Sequence, residues 1–202
     1  HTLDTLIAFA AIGDRITARP GESLTLKIDG PFAGALQAGA QNPDDNLVLK
    51  AARALADYAG VSATAHIRLT KNLPVAAGIG GGSADAAAAI KALAELWQIP
   101  WDEDTMHELA ASLGADVPMC LAGHTAFASG IGEHLSPAPA LPDCGAVLVN
   151  LGKALSTPEV FAARTGDFSE AARFTNTPAD AASLSHILAA RRNDLAEAAS
   201  AL

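Results

Sequence analysis

Residues 73–85 read LPVAAGIGGGSAD, the most informative segment of the sequence. Four of the five positions from Gly78 to Gly82 are glycine, and Ser83 follows directly. Because glycine adopts backbone conformations closed to other residues, such a loop lets the main chain approach a ligand closely. Where the loop enters a helix, the first amides lack an acceptor and the helix dipole adds about half a positive charge. The stretch therefore predicts a phosphate-binding loop at the start of a helix that runs from Ser83 to Trp97.

Three other kinds of glycine loop, and a flexible linker, fit the stretch less well. A Walker A loop needs Gly-Lys-Ser/Thr at the helix start, whereas Gly82 is followed directly by Ser83. A Rossmann fingerprint needs its glycines directly after a strand, and the nearest predicted strand ends near Leu69, about nine residues earlier. A protein-kinase loop comes with further catalytic signatures that this sequence lacks. A linker does not normally run straight into an amphipathic helix.

The composition is that of a globular protein with one large domain or two small ones. Half of the 202 residues are hydrophobic and 17% are charged, which argues against disorder. The net charge is −9, without the cluster of Lys and Arg that a nucleic-acid surface needs. No apolar run approaches the roughly 18 residues of a membrane span. Cys120 and Cys144 form no disulfide framework or metal-ligand spacing, so we expect two reduced thiols in a cytoplasmic protein.

Local patterns on both sides of the loop predict a mixture of strands and helices. Asn46 is expected to cap a helix over Leu47–Tyr58, and alternation predicts a half-buried strand over Ala63–Leu69. The other expected elements are antiparallel strands within residues 2–28, a loop over 30–45, a helix begun by Asp102 or Asp104 and ended at Leu113, β-like runs at Met119–Leu121, Thr125–Ala128, Glu133–Leu135 and Ala146–Val149, and helices from Thr157 and Asp180. These elements predict an α+β architecture with a domain boundary near residue 150.

The glycine loop and several further motifs carry a family resemblance. Pro74 to Ala88 resembles the phosphate loop of the GHMP small-molecule kinases, the group of galactose, homoserine, mevalonate and phosphomevalonate kinases. Residues 73–83 fit the pattern Leu-Pro-x-x-x-Gly-x-Gly-Gly-Gly-Ser, which is similar to that of the GHMP kinases of the non-mevalonate isoprenoid pathway. The further matches, in family order, are His1–Leu6, Asp45–Leu47, Gly114–Pro118, Gly132–Glu133, Thr157–Pro158 with Phe161, and Asn193–Asp194.

The resemblance implies a fold, an activity and cofactors. The implied fold is the α+β GHMP kinase fold, with an N-terminal ribosomal-protein-S5-like, ATP-binding domain over residues 1–149 that lacks its first strand. A truncated C-terminal domain is expected over residues 150–202. The implied activity transfers the γ-phosphate of ATP, with Mg²⁺, to the 2-hydroxyl of a cytidine diphosphate-linked methylerythritol. The expected partner is this small molecule, with no nucleic acid and no membrane. The alternatives are a GHMP kinase with another acceptor, such as homoserine or mevalonate, and a nucleotide-binding fragment without catalysis.

The resemblance also assigns roles to individual residues. Asp116 is the implied general base toward the acceptor hydroxyl, and Ser83 the implied contact with Mg²⁺ or phosphate. Asp85 is expected to favour the first turn of the helix through its dipole rather than to place the metal. The residues expected around the cytidine are His1, Thr157, Pro158 and Phe161. The residues expected around ATP are Asn46, Lys71, Pro74, Val75, Ala76, Ala77, Gly78, Ile79, Gly80, Gly81, Gly82 and Ser83.

Several of these residues also have a purely structural interpretation. Asp116 can be a turn residue that bonds its own backbone, and Asn46 can serve only as the cap of its helix. Lys71 can be a solvated lysine. Phe161 can belong to the apolar face of its helix, and Thr157 can cap that helix.

Overall fold

The computed structural model describes residues 3–39, 42–75, 77–149 and 155–202. The chain divides into two compact units: unit 1 comprises His1–Ala10 with His124–Leu202, and unit 2 comprises Ala11–Gly123. The domain boundary that we predict near residue 150 adjoins residues outside the described ranges, and it stays a prediction.

Strands and helices alternate irregularly along the described ranges. The strands are β1 (Leu3–Ile7), β2 (Arg15–Arg19), β3 (Leu24–Asp29), β4 (Ala65–Thr70), β5 (Ala126–Gly130) and β6 (His134–Pro137). The helices are α1 (Ala33–Gly39), α2 (Leu47–Ala59), α3 (Gly81–Leu96), α4 (Glu103–Leu113), α5 (Val117–Ala122), α6 (Thr157–Ala163), α7 (Ala181–Ala189) and α8 (Ala196–Ala201). This mixture is the predicted α+β class.

Unit 2 contains a three-stranded sheet whose central strand leads toward the glycine loop. The order is β2-β4-β3, with β4 antiparallel to β2 and parallel to β3. Ala65, Ile67 and Leu69 of β4 are buried and the residues between them are not, which confirms the predicted half-buried strand. The strands predicted within residues 2–28 are present as β1, β2 and β3, and β2 and β3 run in opposite directions, but they do not pair with one another. β4 lies between β2 and β3, and β1 pairs with β5 in unit 1.

The core of unit 2 forms where helices α2 to α5 cover one face of this sheet. Its largest fully buried side chains include Leu55 of α2 and Ile90 and Leu93 of α3. Each such side chain contributes about 1.5–3 kcal/mol on burial. The small side chains of Ala86, Ala87 and Ala89 are also buried, so α2 can pack closely on α3. This packing holds the start of α3, where the glycine loop ends.

Caps fix the ends of the unit 2 helices as the sequence predicts. The Asn46 side-chain oxygen accepts the Val48 N–H at 2.9 Å at the start of α2, and Asp102 accepts the Thr105 N–H at the start of α4. The prediction of a continuous loop over residues 30–45 is wrong. Helix α1 and a 3₁₀ turn over Pro43–Asp45 lie there, because good helix formers in α1 outweigh its glycines and an Asn42 cap closes the turn.

Unit 1 is built on an antiparallel sheet of order β1-β5-β6. β5 and β6 agree with the β-like runs predicted at Thr125–Ala128 and Glu133–Leu135. Ala146–Val149, however, forms no strand and is exposed. The β-like run predicted at Met119–Leu121 is also wrong, because it lies in α5 of unit 2, which Pro118 favours as a residue of the first turn.

The helices predicted from Thr157 and Asp180 are confirmed as α6 and α7 of unit 1. Asp180 and Ser183 form a reciprocal capping box at the start of α7. Ser156, not Thr157, is the N-cap of α6, so the structural alternative for Thr157 is wrong. Among the described helices, none has the length and apolar character that a bilayer crossing requires.

Candidate active site

The glycine loop connects β4 to α3 in unit 2 and contains two left-handed glycines. Gly78 has φ +70° and Gly80, the N-cap of α3, has φ +71°. A side chain at either position would be strained. Helix α3 begins at Gly81 instead of Ser83, so the predicted start is two residues late. The space next to the Cα atoms of Gly78, Gly80 and Gly82 is open, which leaves room for a ligand against the main chain.

The start of α3 offers main-chain donors to a ligand. The first internal bond of this end runs from the Ala84 N–H to the Gly80 carbonyl at 2.9 Å. The N–H groups of Gly81, Gly82 and Ser83 therefore have no acceptor within the helix. α3 spans 16 residues, long enough for its dipole to reinforce these donors at the N-terminus. The arrangement suits an anion with several oxygens, such as a phosphate chain.

An ion triad of Asp14, Lys71 and Asp85 lies directly under this loop. The Lys71 ammonium donates to Asp85 Oδ2 at 2.9 Å and to Asp14 Oδ2. The three side chains are almost inaccessible, at 4% for Lys71, 3% for Asp14 and 7% for Asp85. The interpretation of Lys71 as a solvated lysine is therefore wrong. So is the role of Asp85 in the first turn of the helix, since it is the fifth residue of α3 and its charge pairs with Lys71.

Burial and pairing move the pKa values of the triad in different directions. Burial raises the pKa of Asp85 to about 6, against the hydrogen bond and charge of Lys71. Burial also acts to raise the pKa of Asp14, but hydrogen bonds from Lys71, Leu73 and Asn72 outweigh it and lower that pKa. Burial acts to lower the pKa of Lys71, and its bonds to the two aspartates raise it instead. Asp14 therefore ionises readily, whereas burial and the neighbouring charge of Asp14 make Asp85 harder to ionise despite its bond to Lys71.

The raised pKa of Asp85 makes the stability of unit 2 depend on pH. The folded protein keeps this proton up to about pH 6, whereas the unfolded chain loses it near the ordinary pKa of 3.8. The stability that the bound proton provides is fully present below pH 3.8, and it is lost as the pH rises from there through 6. Relative to Asp85→Asn, the free energy of unfolding of the wild type should fall by about 2–3 kcal/mol between pH 4 and pH 7.

Denaturant unfolding followed by tryptophan fluorescence measures this difference, because Trp97 and Trp101 both lie in unit 2. Asp102→Asn is the matched control. Hydrogen bonds from Thr105 lower the pKa of Asp102, so the wild type should gain stability relative to this control as pH rises through the carboxyl range. A difference between wild type and Asp85→Asn that is the same at both pH values would contradict the raised pKa.

Asp116 lies exposed at the N-cap position of α5, in the turn that follows α4. Its side chain makes no capping hydrogen bond to that helix. Helix α5 packs on α3. Burial, together with the charges of Asp116 and Asp85, raises the pKa of the Cys120 thiol to about 11. Asp116 thus belongs to the turn before a helix that packs on α3, the helix that the glycine loop begins.

The remaining expected site residues fall into two groups. In unit 2, Asn46 caps α2 through its side-chain oxygen, which confirms its structural role and leaves its amide nitrogen uncommitted to that cap. In unit 1, Pro158 is exposed and Phe161 half-buried on the short helix α6. His1 and Ala76 lie outside the described residues, and only the backbone of Thr157 is described.

Comparison with known proteins identifies the family. Residues 46–124 match the model of the GHMP kinases N-terminal domain. The chain is 54% identical over 195 residues to the 4-diphosphocytidyl-2-C-methyl-D-erythritol kinase of Paramagnetospirillum magneticum. The aligned residues cover 96% of this chain and 67% of the relative. The chain belongs to the 4-diphosphocytidyl-2-C-methyl-D-erythritol kinase family. The family member from Rhodospirillum rubrum is 50% identical over 199 residues, covering 98% of this chain and 64% of the relative. The chain thus spans about two-thirds of the length of these relatives.

Solved structures agree with this assignment. A crystal structure of 4-(cytidine 5'-diphospho)-2C-methyl-D-erythritol kinase is 31% identical, with a TM-score of 0.66 over 98% of this chain and 68% of that one. Homoserine kinase from Cytophaga hutchinsonii shares the fold at 17% identity, with a TM-score of 0.59 over 81% of this chain and 55% of that one. The predicted α+β GHMP kinase fold is confirmed, and so is the prediction that the chain belongs to a family of small-molecule kinases.

Asp14 is a site residue that is not among the predicted ones. Gly13-Asp14 has the composition of a turn, and nothing local distinguishes this aspartate from other turn residues. A buried charge pair at long separation shows itself only when the fold is known. The one available signal is that Lys71 follows a half-buried strand and directly precedes the loop, a place where a charged side chain has to find a partner if it is buried.

Proposed function

We propose that the full gene product transfers the γ-phosphate of ATP to the 2-hydroxyl of 4-diphosphocytidyl-2-C-methyl-D-erythritol, in the non-mevalonate route to isoprenoid precursors. The observation that carries the proposal is the glycine loop at the start of α3, which fits the family pattern from Leu73 to Ser83 and has open space next to Gly78, Gly80 and Gly82. Family membership supports the choice of substrate. Phosphoryl transfer requires mainly positioning and neutralisation of charge, and such a loop is suited to both.

The phosphates of ATP are proposed to lie against Gly78–Ser83, with residues 74–77 forming the rest of the loop. Amides at a helix start hold phosphate oxygens without any basic side chain, which is how a chain of net charge −9 can bind a polyanion. Asn46 is proposed to border the nucleotide with its amide nitrogen. Lys71 is proposed to support the nucleotide site indirectly, through its ion pairs with Asp14 and Asp85 beneath the loop.

Mg²⁺ is proposed to accompany the ATP, and the residues present fit an ion of this kind. Mg²⁺ keeps several waters and takes only one or two protein ligands beside phosphate oxygens. The Ser83 hydroxyl, in the first turn of α3, offers one such oxygen. The described residues hold no group of three His, Cys, Asp or Glu side chains that would form a cage of their own. When bound, the ion neutralises charge on the phosphate chain.

Asp116 is proposed as the general base toward the acceptor hydroxyl. Its carboxylate is exposed, is not used as a helix cap, and belongs to the turn before α5, which packs on α3. A base of this kind must come within hydrogen-bond distance of the hydroxyl proton that it accepts. As the proton passes to the carboxylate, the hydroxyl oxygen bonds to the γ-phosphorus, and the bond from that phosphorus to the β–γ bridging oxygen breaks to release ADP.

The cytidine end is proposed to bind at His1, Thr157, Pro158 and Phe161. An imidazole offers a donor and an acceptor to a base edge, and an aromatic ring can stack on it. Phe161→Ala should raise the KM for the acceptor by about 5- to 100-fold, since base stacking is worth about 1–3 kcal/mol. Phe168→Ala is the control, because Phe168 is an exposed ring in the same unit that stacks on Arg164. An unchanged KM in Phe161→Ala would remove Phe161 from the site.

Ligand-dependent thermal stability of the full gene product tests the proposed function. A ligand that binds only the folded state raises the unfolding temperature. ATP with Mg²⁺ should do so, and so should 4-diphosphocytidyl-2-C-methyl-D-erythritol and cytidine diphosphate. Homoserine and mevalonate should not, because neither carries a cytosine. Stabilisation by homoserine or mevalonate without any response to cytidine compounds would contradict the proposed substrate.

The cytoplasmic location expected from the cysteines stays a prediction.

A further inference from the structure

The ion triad also forms hydrogen bonds with main-chain groups of the glycine loop. Asp14 Oδ1 accepts the N–H of Asn72 at 2.6 Å and that of Leu73 at 2.9 Å. Its other oxygen, Oδ2, accepts from the Lys71 ammonium. The Asn72 side chain in turn donates to the Gly13 carbonyl at 3.1 Å. The start of the loop is therefore fixed to the segment that precedes β2.

The end of the loop rests on the same charges. The Lys71 ammonium donates to Asp85 Oδ2 at 2.9 Å, in the second turn of α3. A Cβ atom on Gly81 would lie 3.4 Å from Lys71 Nζ and 3.8 Å from Asp14 Oδ2, so the first residue of α3 sits directly over the triad. One lysine and one aspartate thus lie against both ends of the loop.

The main chain of Lys71 is itself held by hydrogen bonds from both its N–H and its carbonyl group. Its N–H donates to the Asp29 carbonyl at 2.7 Å, and its carbonyl accepts from Phe32 at 3.1 Å. Gly30 has φ +98°, and a Cβ there would lie 2.6 Å from the Lys71 carbonyl oxygen, so only glycine permits the approach. Farther along the loop, by contrast, the space next to the Cα atoms of Gly78 and Gly80 is open.

We propose that Asp14 is a positioning residue for ATP: through Lys71 and two loop amides it holds the phosphate loop in the conformation that binds the nucleotide. The inference rests on the proposed function of the loop. A buried ion pair is seldom more stabilising than apolar side chains of the same size. Apolar side chains, however, cannot accept two loop amides and a lysine ammonium in fixed directions. The charges therefore act on the geometry of the loop, and the ammonium of Lys71 is occupied by carboxylates.

The test compares Asp14→Asn with Asp85→Asn and with a control in the full gene product. An asparagine at 14 keeps the volume, but its single oxygen cannot accept from both the loop amides and Lys71. We expect Asp14→Asn to weaken binding of a non-hydrolysable ATP analogue by about tenfold or more, while kcat at saturating ATP and the KM of the acceptor stay within about threefold. Asp85→Asn frees only the end of the loop and should weaken ATP binding less. Asp102→Asn, which keeps the cap of α4, should leave ATP binding unchanged.

Hydrogen exchange without nucleotide supplies a readout that does not depend on the proposed function. In Asp14→Asn the amides of residues 72–73 and of the loop should exchange faster, whereas those of α4 should not. Asp85→Asn should affect the amides around residues 81–85 and leave 72–73 protected.

Four outcomes are decisive. Folded Asp14→Asn with wild-type affinity for ATP and wild-type loop exchange would overturn the inference. A lower unfolding temperature in Asp14→Asn with no change in ATP affinity would show a merely structural role and would also overturn it. If Asp14→Asn does not fold, Asp85→Asn decides instead. Wild-type ATP affinity together with wild-type loop exchange in that variant would then overturn the inference. If the wild type binds no ATP, the proposed function fails, and hydrogen exchange alone decides whether Asp14 holds the loop.

Discussion

Replacing the Asp116 carboxylate by an amide, in Asp116→Asn, is expected to lower kcat by about 10²- to 10⁴-fold, the usual contribution of a positioned general base. The amide keeps the shape of the side chain but cannot accept the hydroxyl proton. Because Asp116 is exposed and caps no helix, the variant should fold as well as the wild type. ATP affinity should stay within about threefold, since the loop and its ion triad are untouched.

Steady-state kinetics and nucleotide titration on the full gene product measure both quantities. Asp57→Asn is the control, because Asp57 is another exposed aspartate of unit 2, on α2. It should leave kcat and ATP affinity at their wild-type values. A kcat in Asp116→Asn within about threefold of the wild type would remove Asp116 from the mechanism.

The largest expected effect on stability comes from Lys71→Met. Methionine fills a similar volume but leaves the carboxylates of Asp14 and Asp85 buried without a cation. Breaking a buried ion pair by removing one partner costs about 3–5 kcal/mol. Adding Asp85→Asn to Lys71→Met should restore part of this loss, because one of the two uncompensated charges is then gone.

Lys50→Met provides the matched control for the loss of a lysine charge. Lys50 pairs with Asp45 at 3.1 Å, but both side chains are about half exposed or more, at 48% and 66%. Exposed pairs contribute about 0–1 kcal/mol, so denaturant unfolding should show only a small change. Equal destabilisation by Lys50→Met and Lys71→Met would contradict the view that burial makes the triad dependent on its cation.

The local parts of the fold were predictable from the sequence, and the pairing of distant strands was not. Asn46, Asp102 and Gly60 mark helix ends by chemistry that acts within a few residues, and each is a cap in the structure. The insertion of β4 between β2 and β3 depends on contacts between residues about 40 to 55 positions apart, which no local pattern encodes. Met119–Leu121 shows the same limit, since a short apolar run fits a strand or a helix equally well.

The candidate site likewise has one part that could be predicted from the sequence and one part that could not. The glycine loop is a continuous stretch, so its place at a helix start could be predicted from residues 73–85 alone. The ion triad joins residues 57 and 14 positions apart in the chain, and its members look like surface charges when each is considered by its sequence neighbours. Asp116 could be assigned a role only through the family resemblance, because an exposed aspartate in a turn has no distinctive pattern of its own.

The most direct test of the central proposal is acceptor-dependent ADP release by the purified full gene product. The reaction contains ATP, Mg²⁺ and 4-diphosphocytidyl-2-C-methyl-D-erythritol, with controls that lack the acceptor or contain homoserine or mevalonate instead. The proposal predicts ADP release that requires this acceptor, with ³¹P NMR showing a new phosphate monoester on its 2-hydroxyl. ADP release with homoserine or mevalonate alone, or no release from a folded protein that binds ATP, would contradict it.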